Sequence, residues 1–378
     1  MKSIWLEGAF SGFSRALSQN RLPGSVLISG TPGTGVYELA FECVRLCLCH
    51  SPVNGRACGQ CRSCTLLDAR GHPDFAAVLP SGGPSQAGSK GAKEEDGEEA
   101  YSIDVSSLVN NFAAVREVLT EWLRGDARQG GGSMTVKKDT LGQLGDYLYS
   151  TPVIARRRVA LITHAHLMQP AAANSMLKIF EEPPANTLIV MVARSQDRLL
   201  PTILSRAYKI AVHGADPEMA LAFLRERGVS DGGRARFALS AALNEPYTAL
   251  SLIRSEADKD MSAFVGALCD LVRQPGLAAL NRAVTGVLAV DERYRMAFLN
   301  ELFMQVMKYK ARFPEEGLPL LGGQGAVLAG LSRERLLDAV SALCDIAREE
   351  GQSALALRAD EAVYRQLVGD LAGRGAPA

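Results

Sequence analysis

Cys49, Cys58, Cys61 and Cys64 follow the spacing C-x8-C-x2-C-x2-C. Two overlapping C-x-x-C steps bring three sulfurs within reach of one ion, and Cys49, at the end of an expected helix, can close a tetrahedron. Four thiolates leave no open position for water. The chemistry implied is therefore a structural zinc ion held in a module spanning 49–74, not a catalytic one. In small zinc peptides such binding contributes about 10–16 kcal/mol to folding. His50 and His72 are near enough to be substitute ligands, whereas Cys43, Cys47, Cys269 and Cys344 fall in helical apolar patterns and read as core.

A second constellation is Gly30-Thr31-Pro32-Gly33-Thr34-Gly35-Val36-Tyr37, which follows the apolar run Val26-Leu27-Ile28 and precedes a helical pattern. Strand, glycine-rich turn and helix N-terminus together are the setting of a phosphate-binding P-loop. The spacing from Gly30 to Gly35 fits G-x-x-x-x-G-K-[ST], but Val36 stands in the lysine position and Tyr37 in that of the Mg²⁺-binding hydroxyl. The scaffold of a nucleotide site is present without the charge that would do its chemistry. Backbone N–H groups of Gly33 to Val36 remain able to hold a phosphate weakly.

The elements that must position these residues alternate. A helix is expected over 9–22, a strand over Ser25–Ser29, a helix to about Leu48, and a strand over Phe75–Leu79. Further strands are expected at Arg158–Thr163, Thr187–Ala193 and 207–212, separated by helices at Leu141–Leu148 and Ala171–Glu182. Pro183-Pro184 must end the last of these helices. The pattern predicts a parallel α/β sheet with both faces covered. Residues 81–133 interrupt it with a glycine-serine stretch and the acidic run Glu94 to Glu99, which read as a flexible insertion and surface excursion carrying one amphipathic helix, Val109–Leu123. After His213 only helical patterns follow, broken at Phe313 to Gly325. The domains expected are 1–213, 214–256 and 257–378.

At 378 residues with a hydrophobic fraction of 47%, the chain has enough apolar surface for several cores. Its 41 basic and 41 acidic residues cancel, which argues against binding nucleic acid through bulk charge alone. No signal peptide is evident at Met1 to Glu7, and the longest apolar run, Leu188 to Ala193, is too short to span a bilayer. A cytoplasmic protein without a membrane partner is expected.

Several motifs, taken together, resemble the clamp-loader subunits of bacterial DNA polymerase III. They are Arg21-Leu22-Pro23, the P-loop scaffold, the four cysteines, His72-Pro73-Asp74-Phe75, the run from Ala173 to Pro184 ending Glu-Glu-Pro-Pro, and Leu199 to Arg206. The resemblance covers most of 20–210 and implies an AAA+-like P-loop domain followed by a small helical lid and an all-α collar that joins other subunits. In that family the ATPase subunits carry an Asp-Glu pair at the end of strand three; here Thr163 and His164 stand in its place. Lysine, hydroxyl, metal-binding acid and catalytic acid are thus all replaced, and phosphoryl transfer depends on that positioned charge. The implied member is a non-hydrolysing stator. Family Ser-Arg-Cys corresponds to Ser205-Arg206-Ala207, and the resemblance implies that Arg206 reaches in trans into the ATP site of a neighbouring subunit. Implied partners are the loader's ATPase subunits, its clamp-opening subunit, the sliding clamp and, through the complex, primed DNA.

Two other readings stay open at this level: a divergent P-loop ATPase with its own turnover, and an autonomous zinc-containing DNA-binding protein. Lys178 and Glu181 stand three apart on an expected helix and can pair with each other. Arg156-Arg157-Arg158 is a short basic run that reads as a solvated turn, and Arg194 lies where related ATPases sense nucleotide.

Overall fold

The computed structural model describes residues 3–69, 71–80, 109–124, 136–196, 199–339, 341 and 361–372. They fall into two compact units, Met1–Gly214 and Ala215–Ala378. The first holds α1 (Glu7–Ser18), β1 (Ser25–Ser29), α2 (Val36–Leu48), α3 (Arg62–Ala69) and β2 (Phe75–Val78). It continues with α4 (Phe112–Arg124), α5 (Lys138–Tyr149), β3 (Arg158–Ile162), α6 (Pro170–Glu181), β4 (Thr187–Ala193), α7 (Pro201–Leu204) and β5 (Tyr208–Ala211).

All five strands are parallel, in the order β2-β3-β4-β1-β5. The three inner strands β3, β4 and β1 and the apolar edge strand β2 are buried along their whole length, as strands covered on both faces must be. Alternation sorts their side chains into two cores. Val26, Ile28, Val190 and Val192 join Phe10, Phe13, Leu39 and Cys43 on one face. Leu27, Ile189 and Met191 join Leu144, Met176, Ile179 and Phe180 on the other. β5 is an edge strand with Lys209 exposed, a residue type that discourages further pairing.

Two expectations are corrected. The first helix ends at Ser18 rather than near Leu22, because Asn20 turns into the left-handed region (φ 54°) and the Arg21 N–H returns to the Ala16 carbonyl at 2.9 Å. Leu22 still packs on the core from the loop. The stretch 109–119, expected as part of a surface excursion, packs into the core through Val109, Phe112, Val115, Val118 and Leu119. Val109 exchanges both backbone hydrogen bonds with Ala77 (2.9 and 3.0 Å), and Phe112 makes edge contacts with Phe41 and Phe75, each at 5.2 Å between ring centres. Residues 81–108 and 125–133 lie outside the described residues.

The second unit is helical among its described residues: Pro217–Glu226, Gly232–Ala241, Pro246–Arg254, Ala257–Arg273, Leu277–Ala289, Glu292–Lys310 and Glu361–Ala372 are its longer helices. Arg234 grips the buried Asp258 with two guanidinium hydrogen bonds, tying Gly232–Ala241 to Ala257–Arg273. Among the described residues no helix is long and apolar enough to cross a membrane.

Candidate functional site

β1 delivers the chain into the glycine-rich loop, and Gly35 makes the turn into α2 possible with φ 94° and ψ 23°, a conformation that a side chain would strain. Between them Pro32–Thr34 forms a tight 3₁₀ turn. Its geometry uses up donors that a phosphate would need. The Thr34 N–H bonds Thr31 O at 3.1 Å and the Gly35 N–H bonds Pro32 O at 3.2 Å. The Thr34 hydroxyl also donates to Thr31 O, at 2.7 Å, and the Trp5 indole N–H donates to Thr34 O at 2.8 Å. Val36 and Tyr37 are buried, and Val36 Cγ1 lies 2.9 Å from where a Cβ on Gly30 would sit. The interior of the loop is thus lined by the chain's own apolar groups.

Tyr37 is joined to the end of β3. Its hydroxyl is 2.9 Å from His164 Nε2, His164 Nδ1 is 3.0 Å from Thr163 Oγ1, and Thr163 Oγ1 is 3.1 Å from Val78 O. A carbonyl only accepts, so Thr163 donates to Val78; Thr163 Oγ1 then accepts from His164 Nδ1–H. Nε2 is left bare, and it accepts the Tyr37 O–H. Burial, reinforced by His166, lowers the His164 pKa to about 3, so its imidazole is neutral. Burial likewise pushes the Tyr37 hydroxyl well above its ordinary range. Tyr37, His164 and Thr163 are thus linked into one uncharged chain that ends on Val78 O. Arg194 lies exposed at the end of β4, its N–H 3.2 Å from His166 Nδ1.

Arg206 sits at the other end of the sheet. It follows α7, whose Ile203 is fully buried, and its carbonyl accepts from Ser25 Oγ at the start of β1. From Ser25 to Gly30 the strand runs five residues, about 16 Å. The guanidinium reaches Thr202 O at 3.1 Å, Ser205 Oγ at 3.3 Å and Glu181 Oε1 at 3.3 Å, with 41% of its side chain exposed. Glu181 closes α6, and the following turn is fixed because Pro183 lies against Gly24. A Cβ there would come within 2.0 Å of the proline ring. The leading Leu22-Pro23-Gly24 and the trailing Glu182-Pro183-Pro184 are therefore two sides of one contact. The carboxylate that helical spacing allows to pair with Lys178 faces Arg206.

The four thiols Cys49, Cys58, Cys61 and Cys64 lie within 4.8 Å of one another. Cys49 Sγ is 3.6 Å from Cys58 Sγ and 3.9 Å from Cys61 Sγ, far longer than a disulfide. Sulfurs about 2.3 Å from one tetrahedral ion would be roughly 3.8 Å apart, so the four fit a single metal ion. For Cys61, burial raises the pKa, but N–H groups of Cys64 and His50 and the neighbouring thiols outweigh it and bring it to about 6. N–H groups of Gln60 and Cys61 also lower Cys58, while burial raises Cys49 and takes Cys64 to about 12. His72 takes no part as a ligand: its Nδ1 accepts the Asp74 N–H at 3.0 Å, so its Nε2–H donates to Ser63 Oγ at 2.7 Å. Cys43, Cys47 and Cys269 are buried as expected, and Cys344 lies outside the described residues.

Residues 5–215 match the family model described as DNA polymerase III, delta subunit. The chain belongs to this DNA polymerase III delta subunit family. Among curated proteins it is similar to the DNA polymerase III subunit delta′ of Escherichia coli K12, with 28% identity over 252 residues, 67% of this chain and 61% of that one. It is also similar to the subunit delta′ of Yersinia pestis, with 24% identity over 311 residues, 81% of this chain and 76% of that one. The DNA polymerase III gamma subunit-related protein of Thermotoga maritima aligns over 97% of this chain and 99% of its own, at 16% identity and a TM-score of 0.44.

Within this DNA polymerase III family member, one built feature went unread in the sequence. The fully buried Asp74 accepts three backbone N–H groups, from Val153, Ile154 and Ala155, each at 2.7 Å. It holds the loop entering β3. Arg158, buried and stacked 4.4 Å from the Tyr147 ring, ties the same loop by donating to Thr151 O. The run Arg156-Arg157-Arg158 is therefore not uniformly solvated. The signal available was a lone aspartate in His-Pro-Asp-Phe before a strand, and it does not name its donors.

Proposed function

We propose that this chain is a non-hydrolysing, stator-type subunit of the DNA polymerase III clamp loader, which helps to place a sliding clamp on primed DNA and supplies Arg206 to the ATP site of a neighbouring subunit. The observation that carries this reading is the placement of Arg206 against Ser25, at the opposite end of β1 from Gly30. An arginine about 16 Å from its own loop cannot serve that loop, but it can serve another chain's. A guanidinium delivered in trans stabilises charge on the transferring phosphoryl group, worth about 10³–10⁵ in rate in GTPases activated this way.

Loss of the chain's own turnover is supported by Val36 and Tyr37 in the loop and by the neutral Tyr37–His164–Thr163 chain where charge is required. The degenerate loop residues Gly30, Gly33, Thr34, Gly35, Val36 and Tyr37 then act as a rigid wall. Cys49, Cys58, Cys61 and Cys64 hold a structural Zn²⁺. The partners follow from the same reading: the loader's ATPase subunits, its clamp-opening subunit, the clamp, and DNA through the assembly. The protein works as part of a hetero-oligomer in the cytoplasm.

The test is clamp- and DNA-stimulated ATP hydrolysis by the reconstituted loader, with Arg206→Ala compared against wild type after equal assembly is verified by size-exclusion chromatography. A fall of a hundredfold or more is expected. An unchanged rate removes the trans role. Separately, hydrolysis by the purified chain that disappears with Gly35→Val would replace this reading with that of an ATPase in its own right.

A further inference from the structure

The ion pair between Arg206 and Glu181 links two segments that the function above uses separately. We propose that Glu181 is the resting counter-ion of Arg206, a positioning residue that keeps the guanidinium neutralised until the triphosphate of the neighbouring subunit displaces the carboxylate. The proposal rests on the reading of Arg206 as a finger acting in trans.

Three observations carry it. First, the contact is built into the fold at both ends. Glu181 is the last residue of α6, next to the buried Phe180 and Ile179, and the turn after it is seated on Gly24 through Pro183. Arg206 has its backbone tied to Ser25, and its guanidinium is steadied by Thr202 O and Ser205 Oγ. Both backbones are thus anchored at the start of β1, and the side chains meet across that edge.

Second, the division of the fork matters. One terminal nitrogen of Arg206 is held by its own segment, and the other faces Glu181 at 3.3 Å. A ligand can take over the second nitrogen without disturbing the first. The side chains are 41% and 47% exposed, so an incoming phosphate meets them without unpacking the core.

Third, the electrostatics demand an exchange. A carboxylate beside the guanidinium cancels its charge, and that carboxylate repels a triphosphate approaching the same point. The pair therefore contributes little field to a neighbour's site until Glu181 is released. Because exposed ion pairs are weak, the competition is small, of the order of two- to fivefold in the population of free arginine.

The experiment uses the full reconstituted loader and measures ATP hydrolysis with and without clamp and primed DNA, for wild type, Glu181→Gln, Arg206→Ala and the double variant. Glutamine keeps the size and the acceptor oxygen while removing the charge. The proposal expects Glu181→Gln to raise basal hydrolysis about two- to fivefold, to leave the stimulated rate within twofold, and to lose its advantage as ionic strength rises. A merely structural role would not give that salt dependence. The double variant should match Arg206→Ala. An unchanged or lowered basal rate in Glu181→Gln, with Arg206→Ala still severely impaired, overturns the counter-ion role and leaves the finger in place. If Arg206→Ala behaves as wild type, the reading beneath the proposal falls and the proposal falls with it.

Discussion

The Tyr37 hydroxyl lies 2.9 Å from His164 Nε2, so the first turn of α2 is hydrogen-bonded to the residue that follows β3 by two positions. Both are buried, and the chain closes through Thr163 onto Val78 O. Tyr37→Phe removes the hydroxyl that donates to a buried imidazole nitrogen, which should cost about 1–3 kcal/mol. Urea denaturation of the purified chain checks this; no loss of stability would mean that the contact is idle.

The same histidine makes stability depend on pH. Its folded pKa of about 3 lies below the ordinary value of 6.5, so between those limits the unfolded chain binds the extra proton. Stability from this group is complete above about 6.5 and is lost as pH falls toward 3. From pH 7 to pH 5 the loss should be about 2 kcal/mol. His72 is also lowered by burial and adds a loss of the same sign. His164→Gln, less stable at pH 7, should show a shallower decline than wild type over this range in denaturant titrations at each pH. Parallel curves would place the proton elsewhere.

The cysteine cluster predicts a metal-dependent fold. Cys61→Ser should lose bound zinc by elemental analysis and lower the melting temperature, whereas Cys43→Ser, whose sulfur packs in the core, should keep its zinc. Chelation of the wild type should reproduce the Cys61→Ser melt. Equal zinc content in both variants would contradict a four-thiolate site.

Much of the first unit was legible from its residues. Five apolar runs bounded by Gly, Pro or charged residues became five parallel strands, and the double proline ended α6 where its chemistry required. What was hidden depends on partners far away in the chain. Phe112 is separated from Phe41 and Phe75 by a polar, low-complexity stretch, so its helix looked peripheral while its ring is core. Asp74 meets donors about 80 residues later. Helical spacing suggested Lys178 for Glu181, but the fold brings Arg206 across the sheet edge. The cysteines were readable because a metal site needs only local spacing, while the Tyr37–His164 bond required knowing that β1 and β3 flank β4.

Asp74 carries the last prediction. The two oxygens of this fully buried side chain satisfy three N–H groups of the loop entering β3, all at 2.7 Å. Hydrogen bonds to a charged acceptor contribute about 1.5–3 kcal/mol each, and removing the acceptor strands the donors. Asp74→Ala should therefore destabilise the protein by at least about 3 kcal/mol. Asp74→Asn, which keeps one acceptor oxygen, should cost less. Hydrogen exchange should localise the damage, with Val153, Ile154 and Ala155 losing protection before the strands do. If Asp74→Ala and wild type exchanged these three amides at the same rate, the loop would be held by its flanking strands, and the buried carboxylate would not be its clamp.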